Sequence, residues 1–354
     1  MSTLLTPTSV AEFAEAIRAH PAVLAIGAQT KPRLSAVNDA VVRLSTRKLS
    51  GIVEYEPDEY TFTARAGTRL SDLAATLAEK GQYLPFDPPL AASGATLGGT
   101  VAAGLSGPGR FRYGGLRDFI LGVQFIDGAG RTLRLGGKVV KNAAGFDLPK
   151  FFVGSLGRYG VLTELTLKVF PRPARALTLR LPVATTSAAV DILTTVGRSR
   201  WEAEAVDISP NGDAVLVRLA GPAESLSIIA QEIFKRWPGE ILTDIEARQI
   251  WHELAEFSWA EASHSLLKLA ITPAQIPALL TATRQYGGRA HISAGGNLAL
   301  VALPAGVEPT NLGLPALMLR GVGPLWSRTV LPRPTIFAAV KAALDPDNRF
   351  PLDN

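Results

Sequence analysis

The chain contains no cysteine. Disulfides, thiolate-held zinc, iron–sulfur clusters, a cysteine nucleophile and a cysteinyl-linked flavin are therefore excluded. The lack of covalent staples fits a reducing compartment. Histidine is nearly as scarce, at four residues. His20, His252, His264 and His291 stand apart, and none has metal-ligand spacing, so each reads as structural and no metal site is expected. His252 and Glu253 begin an H-E pair, but the second histidine of H-E-x-x-H is missing. Charge of one sign is never concentrated. The formal net charge of +5 is spread along the sequence, so no nucleic-acid arm is present, although a faintly basic surface suits acidic metabolites. The N-terminal MSTLLTPTSVAEF lacks the basic start and apolar core of a secretory signal. The longest uncharged run, 88–109, has only Leu90, Leu97, Val101 and Leu105 as large apolar residues, too few for a transmembrane segment. A cytoplasmic protein is expected.

The familiar nucleotide and hydrolase signatures are missing too. No GxGxxG follows a strand pattern, since Gly107-Pro108-Gly109 lacks the third glycine and Gly128-Ala129-Gly130 has no helix pattern behind it. Gly137-Lys138 continues with Val139, so it is no P-loop, and Val153 rather than glycine precedes Gly154-Ser155-Leu156-Gly157, which removes the nucleophile elbow. Glycine itself is abundant, at 33 residues, and clusters in 94–115 and 136–160. Such density costs folding entropy and points to close backbone approach to an anionic group such as a diphosphate.

The length of 354 residues suggests two domains. Ser9 to Glu12 reads as a capping box for a helix carrying Val10, Phe13, Ala14 and Ile17. Segments 22–28, 41–45, 51–56 and 60–67 read as strands, and Ser71 as the cap of a helix bearing Leu73 and Leu77. Two strands are expected in 121–135 and another in 161–171. The Pro-rich 171–182 reads as a boundary. Beyond it, strands at 214–221 and 265–272 alternate with helices at 222–237 and 273–286. A hairpin at 291–303 follows, then a helix near 335–344. Strands, short helices and long loops mix without regular βαβ alternation, so the fold class is α+β. All five tryptophans lie beyond residue 200, consistent with a second, separately packed unit.

An ordered series of segments resembles the FAD-binding domain of the vanillyl-alcohol oxidase / p-cresol methylhydroxylase (PCMH-type) flavoproteins, most closely the FAD-binding subunit in its glycolate oxidase (glycolate dehydrogenase) branch. The series comprises 26–31 (IGAQTK), 66–73 (AGTRLSDL), 84–89 (LPFDPP), 95–99 (ATLGG), Gly107-Pro108, 113–118 (YGGLRD), 121–123 (LGV), 141–148 (KNAAGFDL) and 154–164 (GSLGRYGVLTE). Beyond residue 173 the likeness is loose, chiefly Asp345-Pro346 and 349–351 (RFP). The resemblance implies a PCMH-type domain of two α+β subdomains over 1–173. A smaller α+β domain with an antiparallel sheet would follow over 174–330, and a tail, 331–354, would pack back toward the first. It implies non-covalent FAD, with Gly27, Ala28, Gln29, Thr30, Lys31, Thr96, Leu97, Gly98 and Gly99 at the diphosphate. Lys141, Asn142, Gly145 and Asp147 would lie beside the flavin or ribityl chain, and Gly160 and Val161 near the adenine. Pro88, Gly107, Tyr113 and Gly114 complete the implied cofactor set. Ala28, Gln29, Phe146 and Tyr159 depart from the family pattern, and Ala28 takes a permissive glycine from a turn that often needs positive φ. Arg110, Arg112 and Arg117 read either as counter-charge for an anion or as a solvated or subunit-contact face.

The implied activity is oxidation of a 2-hydroxy acid, glycolate or D-lactate, through flavin. The implied partners are a second FAD-containing catalytic subunit and an iron–sulfur subunit, with peripheral attachment to the inner face of a membrane through them. No catalytic base is visible. With no histidine–acid constellation in the sequence, the chain is expected to handle electrons or assembly rather than to be the main site of substrate oxidation. A self-sufficient FAD-dependent 2-hydroxy acid or alcohol dehydrogenase and a non-catalytic scaffold that has lost FAD are the alternatives.

Overall fold

The computed structural model describes residues 3–137, 148–327 and 334–351. The fold is α+β, built on a parallel sheet of three strands, an antiparallel sheet of five and an antiparallel sheet of eight. Val42–Ser45 is the middle strand of the three-stranded sheet, between Leu4–Leu5 and Val23–Ile26. The helix Val10–Ala19 buries Phe13, Ala14 and Ile17 against it. Ser9 caps that helix as expected, accepting from the Glu12 amide at 3.2 Å. The Glu12 carboxylate, however, returns to the Thr8 amide at 2.7 Å rather than to Ser9.

The five-stranded sheet runs Ile52–Glu56, Thr61–Arg65, Val161–Lys168, Ile120–Ile126, Thr132–Gly136. The helix Leu70–Glu79 covers it with Leu70, Leu73 and Leu77. Its N-cap is Arg69 and not Ser71. The Leu70 amide donates to the Ala95 carbonyl at 2.9 Å, which starts the helix two residues early. The glycine-rich stretch contains the helix Leu97–Ala103. Thr96 caps it and Gly104, at φ +59°, ends it in the left-handed conformation glycine adopts without strain.

Residues 171–182, read as a boundary, supply the strand Arg175–Pro182 of the eight-stranded sheet. Its prolines sit at the ends, where no ladder bond is lost, and Leu177, Leu179 and Leu181 alternate between them. The sheet is also the largest in the molecule rather than a small one. Its two faces differ in chemistry. Leu179, Val206, Ile208, Val215, Val217, Leu267, Leu269, Ile292 and Val301 form one aliphatic core under the helices Thr186–Arg198, Ala223–Phe234 and Ile276–Gln285. Alternate residues Leu266, Leu300, Ala302, Leu317 and Leu319 join the core of the five-stranded sheet instead. Asp207, Arg218, Lys268 and His291 share that second face by register.

The seam between the sheets is stitched from both sides. Phe111, on the short helix Arg110–Tyr113, packs into the aliphatic core of the eight-stranded sheet. Arg112 pairs with Glu202 at 2.8 Å, and the Tyr113 hydroxyl donates to Glu204 at 2.6 Å. Lys268 Nζ donates to the Gly104 carbonyl at 2.7 Å.

The segment after the helix Pro334–Leu344 clasps the three-stranded sheet and its helix. Arg349 Nη1 donates to the carbonyls of Ile17, Arg18 and His20 at 2.9, 3.0 and 2.9 Å, satisfying the end of the first helix. The Arg349 carbonyl accepts from the Val23 amide at 2.7 Å. Buried Asp345 accepts from the amides of Arg349 and Phe350, each at 2.8 Å, and from Lys341 Nζ at 2.6 Å. Lys341 also donates to the carbonyls of Arg158 and Phe350. Asp345→Ala removes three acceptor contacts and strands a buried ammonium. It is expected to cost about 3–5 kcal/mol of stability, read as a lower urea midpoint at unchanged m-value.

Candidate nucleotide site and the seam beside it

The turn after Val23–Ile26 faces the start of the helix Leu97–Ala103 across a cleft. Its walls include Ile26 to Lys31, Leu34, Thr96, Gly98, Gly99, Ala103, Leu156, Gly160 and Leu162. Of the sequence-derived set, Gly27, Ala28, Gln29, Thr30, Lys31, Thr96, Gly98, Gly99 and Gly160 are thus brought together. Leu97 lies next to the cleft with its side chain buried in the core, and Val161 is buried beneath Gly160 in the strand Val161–Lys168. Lys141, Asn142, Gly145 and Asp147 lie outside the described residues, as does Phe146.

The glycines do a different job from the one their density suggested. A Cβ at Gly27 would collide with Thr96 Oγ1, and one at Gly98 would come within 2.7 Å of the Ala66 Cβ. These two glycines let protein segments approach each other; they do not open space for a ligand. The amides of Leu97, Gly98 and Gly99 are likewise occupied, by Thr68 O, Ala66 O and Thr96 Oγ1. The anion-binding capacity sits on the opposite wall. No amide from Gly27 to Lys31 donates to another described group. The residue with positive φ in this turn is Gln29, at +57°, and not Ala28. A left-handed residue within such a turn points successive N–H groups into one concavity, which suits an anion.

Lys31 stands at the end of that run. Its side chain is buried, its ammonium donates to Thr30 Oγ1 at 3.0 Å, and among the described residues no carboxylate pairs with it. Burial pushes its pKa down from 10.5 to about 8. A concavity of free amides with a buried, unpaired ammonium, beside the apolar walls of Ile26, Leu34 and Leu162, fits a phosphate-bearing ligand with a planar apolar part.

The remaining members of the set lie on the seam. Pro88 lines a cavity of about 260 Å³ with Asp87, Pro108, Arg218, Trp251, His252 and Ala255. Gly107 lines a smaller one with Leu105, Ser106, Pro108, Ala255, His291, Ser293 and Leu300. Gly114, at φ +85°, packs against Asp118, and the Tyr113 hydroxyl is held by Glu204. Burial first, then that hydrogen bond, raises the Tyr113 pKa. Arg218 bridges Asp87 at 2.5 Å and Glu204 at 3.1 Å, and lies 5.0 Å from the centre of the Trp251 ring. Burial opposes its charge, but the two carboxylates outweigh burial and hold its pKa above the usual value. Of the three clustered arginines, Arg112 is a seam contact with Glu202.

One expectation is overturned. A histidine–acid pair does exist: His291 Nε2 lies 2.8 Å from Asp207 Oδ2, which also accepts from Ser293 Oγ at 2.9 Å. Both residues are buried, 84 positions apart in sequence. The available signal was the alternation in Ala205-Val206-Asp207-Ile208 and Ala290-His291-Ile292-Ser293, which sets a polar residue opposite each aliphatic face.

Residues 1–136 match the family described as "FAD binding domain". The chain is 42% identical over 216 residues to "Glycolate oxidase subunit GlcE" of Escherichia coli (strain K12), a match covering 60% of this chain and 58% of that one. It is 33% identical over 141 residues to "D-lactate dehydrogenase" of Anaerostipes hadrus, covering 40% and 29%. The chain therefore spans less than two thirds of the length of these relatives. Among solved structures, alkyldihydroxyacetonephosphate synthase superposes with a TM-score of 0.73 at 16% identity, over 98% of this chain and 76% of that one. That likeness shows the fold.

Lys31 gives a signed prediction. Between pH 8 and 10.5 the unfolded chain holds a proton that the folded one lacks, so stability of the FAD-free protein rises with pH across that window. Lys31→Met is expected to stabilise the FAD-free protein at pH 7 by roughly 2–3 kcal/mol and to flatten the alkaline rise, measured by urea unfolding at pH 7 and pH 10. The same variant is expected to bind FAD at least tenfold more weakly, measured by flavin fluorescence quenching.

Proposed function

We propose that the chain is the FAD-binding subunit of a complex that oxidises a small 2-hydroxy acid, glycolate or D-lactate, to the 2-oxo acid. The observation that carries this reading is the run of free amides from Gly27 to Lys31 ending in a buried, unpaired ammonium. That arrangement would hold the diphosphate of non-covalent FAD, with Thr96 across the cleft and Gly160 and Leu162 at the apolar end. Lys141, Asn142, Gly145 and Asp147 would complete the flavin side. Bound FAD would supply the two-electron acceptor; the chain's part is to bind it, orient it and close the seam over it. The Tyr113–Glu204–Arg218–Asp87 network would hold the seam in place, since losing Arg218 would strand the buried Glu204 carboxylate.

The substrate class is supported by the likeness to a glycolate oxidase subunit and to a D-lactate dehydrogenase, and a basic chain suits an acid substrate. Partners follow from the same likeness: a second FAD-containing subunit, resembled by "Glycolate oxidase subunit GlcD" of Bacillus subtilis, and an iron–sulfur subunit, since a chain without cysteine cannot itself hold such a cluster. Among the described residues no helix is long and apolar enough to cross a membrane, so membrane attachment would come through these partners.

The purified protein is expected to be yellow and to lose its visible flavin absorption on anaerobic mixing with glycolate or D-lactate. A colourless protein with no thermal shift on adding FAD would instead select the scaffold reading. Flavin that stays oxidised with either acid, alone and with its partner subunits, would remove the substrate assignment.

A further inference from the structure

A second group of cations lies away from the nucleotide cleft, where the helix Ile276–Gln285 meets the ends of two strands of the eight-stranded sheet. A cavity of about 310 Å³ there has Asn211, Gly212, Thr283, Arg284 and Arg289 in its wall. It shares no lining residue with the nucleotide cleft. Asn211 and Gly212 belong to the turn joining the strands Ala205–Ile208 and Ala214–Gly221, and Arg289 opens the strand Arg289–Ser293. Hydrogen bonds fix that turn: the Gly212 amide donates to the Ser209 carbonyl at 2.8 Å, and Ser209 Oγ donates to Asp213 at 2.6 Å.

Three observations point to an anionic occupant. The wall carries two guanidinium groups and no carboxylate. Elsewhere Arg112, Arg131, Arg134 and Arg218 each pair with an acid, whereas neither Arg284 nor Arg289 does so among the described residues. Arg284 Nη1 donates to Thr186 Oγ1 at 3.3 Å and Arg289 Nη1 to the Trp259 carbonyl at 3.5 Å, which leaves the other N–H donors of both forks uncommitted among the described residues. Two like charges on one cavity repel, and a shared counter-ion removes that cost. The second observation is steric. Gly212 has φ +71°, and a Cβ there would collide with Arg284 Nη2, so one glycine both makes the turn and admits the guanidinium. The third is Thr283, which is 1% exposed and whose hydroxyl has no hydrogen-bond partner among the described residues. A buried hydroxyl in that state calls for a water or an occupant.

A guanidinium fork matches the paired oxygens of a carboxylate or a phosphate. Two forks, the Asn211 amide and no acid suit a small oxyanion with two negative charges. The volume stands at the lower end of the range for small-molecule sites, about 300–1,000 Å³. We propose that this cavity is a second binding site, which takes a small dianion, a dicarboxylate or a phosphate ester, between Arg284 and Arg289. The site goes beyond the proposed function and does not depend on flavin.

Calorimetric titration of the full chain at low salt, with inorganic phosphate and with malonate as separate probes, tests it. Saturable binding of at least one probe below about 10 mM is expected. Phosphate alone would mark a phosphate-ester site, and malonate alone a dicarboxylate site. Arg284→Met and Arg289→Met are each expected to weaken binding at least about tenfold while leaving Tm and FAD binding unchanged. Arg284→Lys, which keeps the charge and loses the fork, is expected to weaken it as well. Should one methionine variant fail to fold, the other carries the test. Lys31→Met separates this cavity from the nucleotide cleft and is expected to leave probe binding intact. Absence of saturable binding with both probes, an affinity unchanged in the folded arginine variants, or binding lost in Lys31→Met would overturn the proposal. A protein that binds no FAD would sink the proposed function and leave this titration decisive.

Discussion

The contact on which the site depends is the one between Gly27 and Thr96. It joins the turn leaving the three-stranded sheet to the first turn of the helix Leu97–Ala103, and a single added carbon at position 27 would collide with the threonine hydroxyl. Gly98 against Ala66 repeats the constraint one layer deeper. The lobes therefore meet at a backbone separation that only glycine permits. That separation sets which wall of the cleft has hydrogen-bonding capacity left over. The helix side consumes its own amides in holding the lobes together, whereas the Gly27–Lys31 amides have no acceptor among the described residues. The hydrogen-bonding capacity left in the cleft is thus a by-product of how the lobes pack.

The second organising principle is the asymmetry of the eight-stranded sheet. A β-strand offers alternate residues to opposite faces, and here one face is greasy and the other carries acids, bases and an ammonium. Lys268 illustrates the cost. Burial, with Arg110 adding to it, lowers its pKa from 10.5 to about 8, and it holds the Gly104 carbonyl. Arg218 shows the opposite balance, because Asp87 and Glu204 outweigh its burial. The seam therefore combines one fully compensated cation, one cation strained by desolvation and a histidine–acid pair with an open nitrogen. Such groupings concentrate where structures perform chemistry.

Much of this was legible in advance because it is local. The Ser9 cap, the strands on either side of residues 57–60 and the hairpin at 291–303 all follow from periodicity and cap chemistry within a dozen residues. Residues from two of the ordered glycine-rich segments, 26–31 and 95–99, line one cleft. What misled was the meaning of glycine: its density suggested room for a ligand, whereas Gly27 and Gly98 are close-packing residues. The helix Leu97–Ala103 was hidden by the same glycines, whose poor helix propensity is overridden by the Thr96 cap and by burial of Leu97, Val101 and Ala103. The partnership of Asp207 with His291 was invisible for a different reason. It depends on strand order in a sheet, and no pattern within either strand states which strand will lie alongside.

The grip of Arg349 on the carbonyls of Ile17, Arg18 and His20 closes a loop of more than 300 residues. A contact of such sequence separation is entropically expensive to form early. On the ribosome, the helix Val10–Ala19 and its sheet would therefore emerge without this fastening and remain without it until residue 349 had been made.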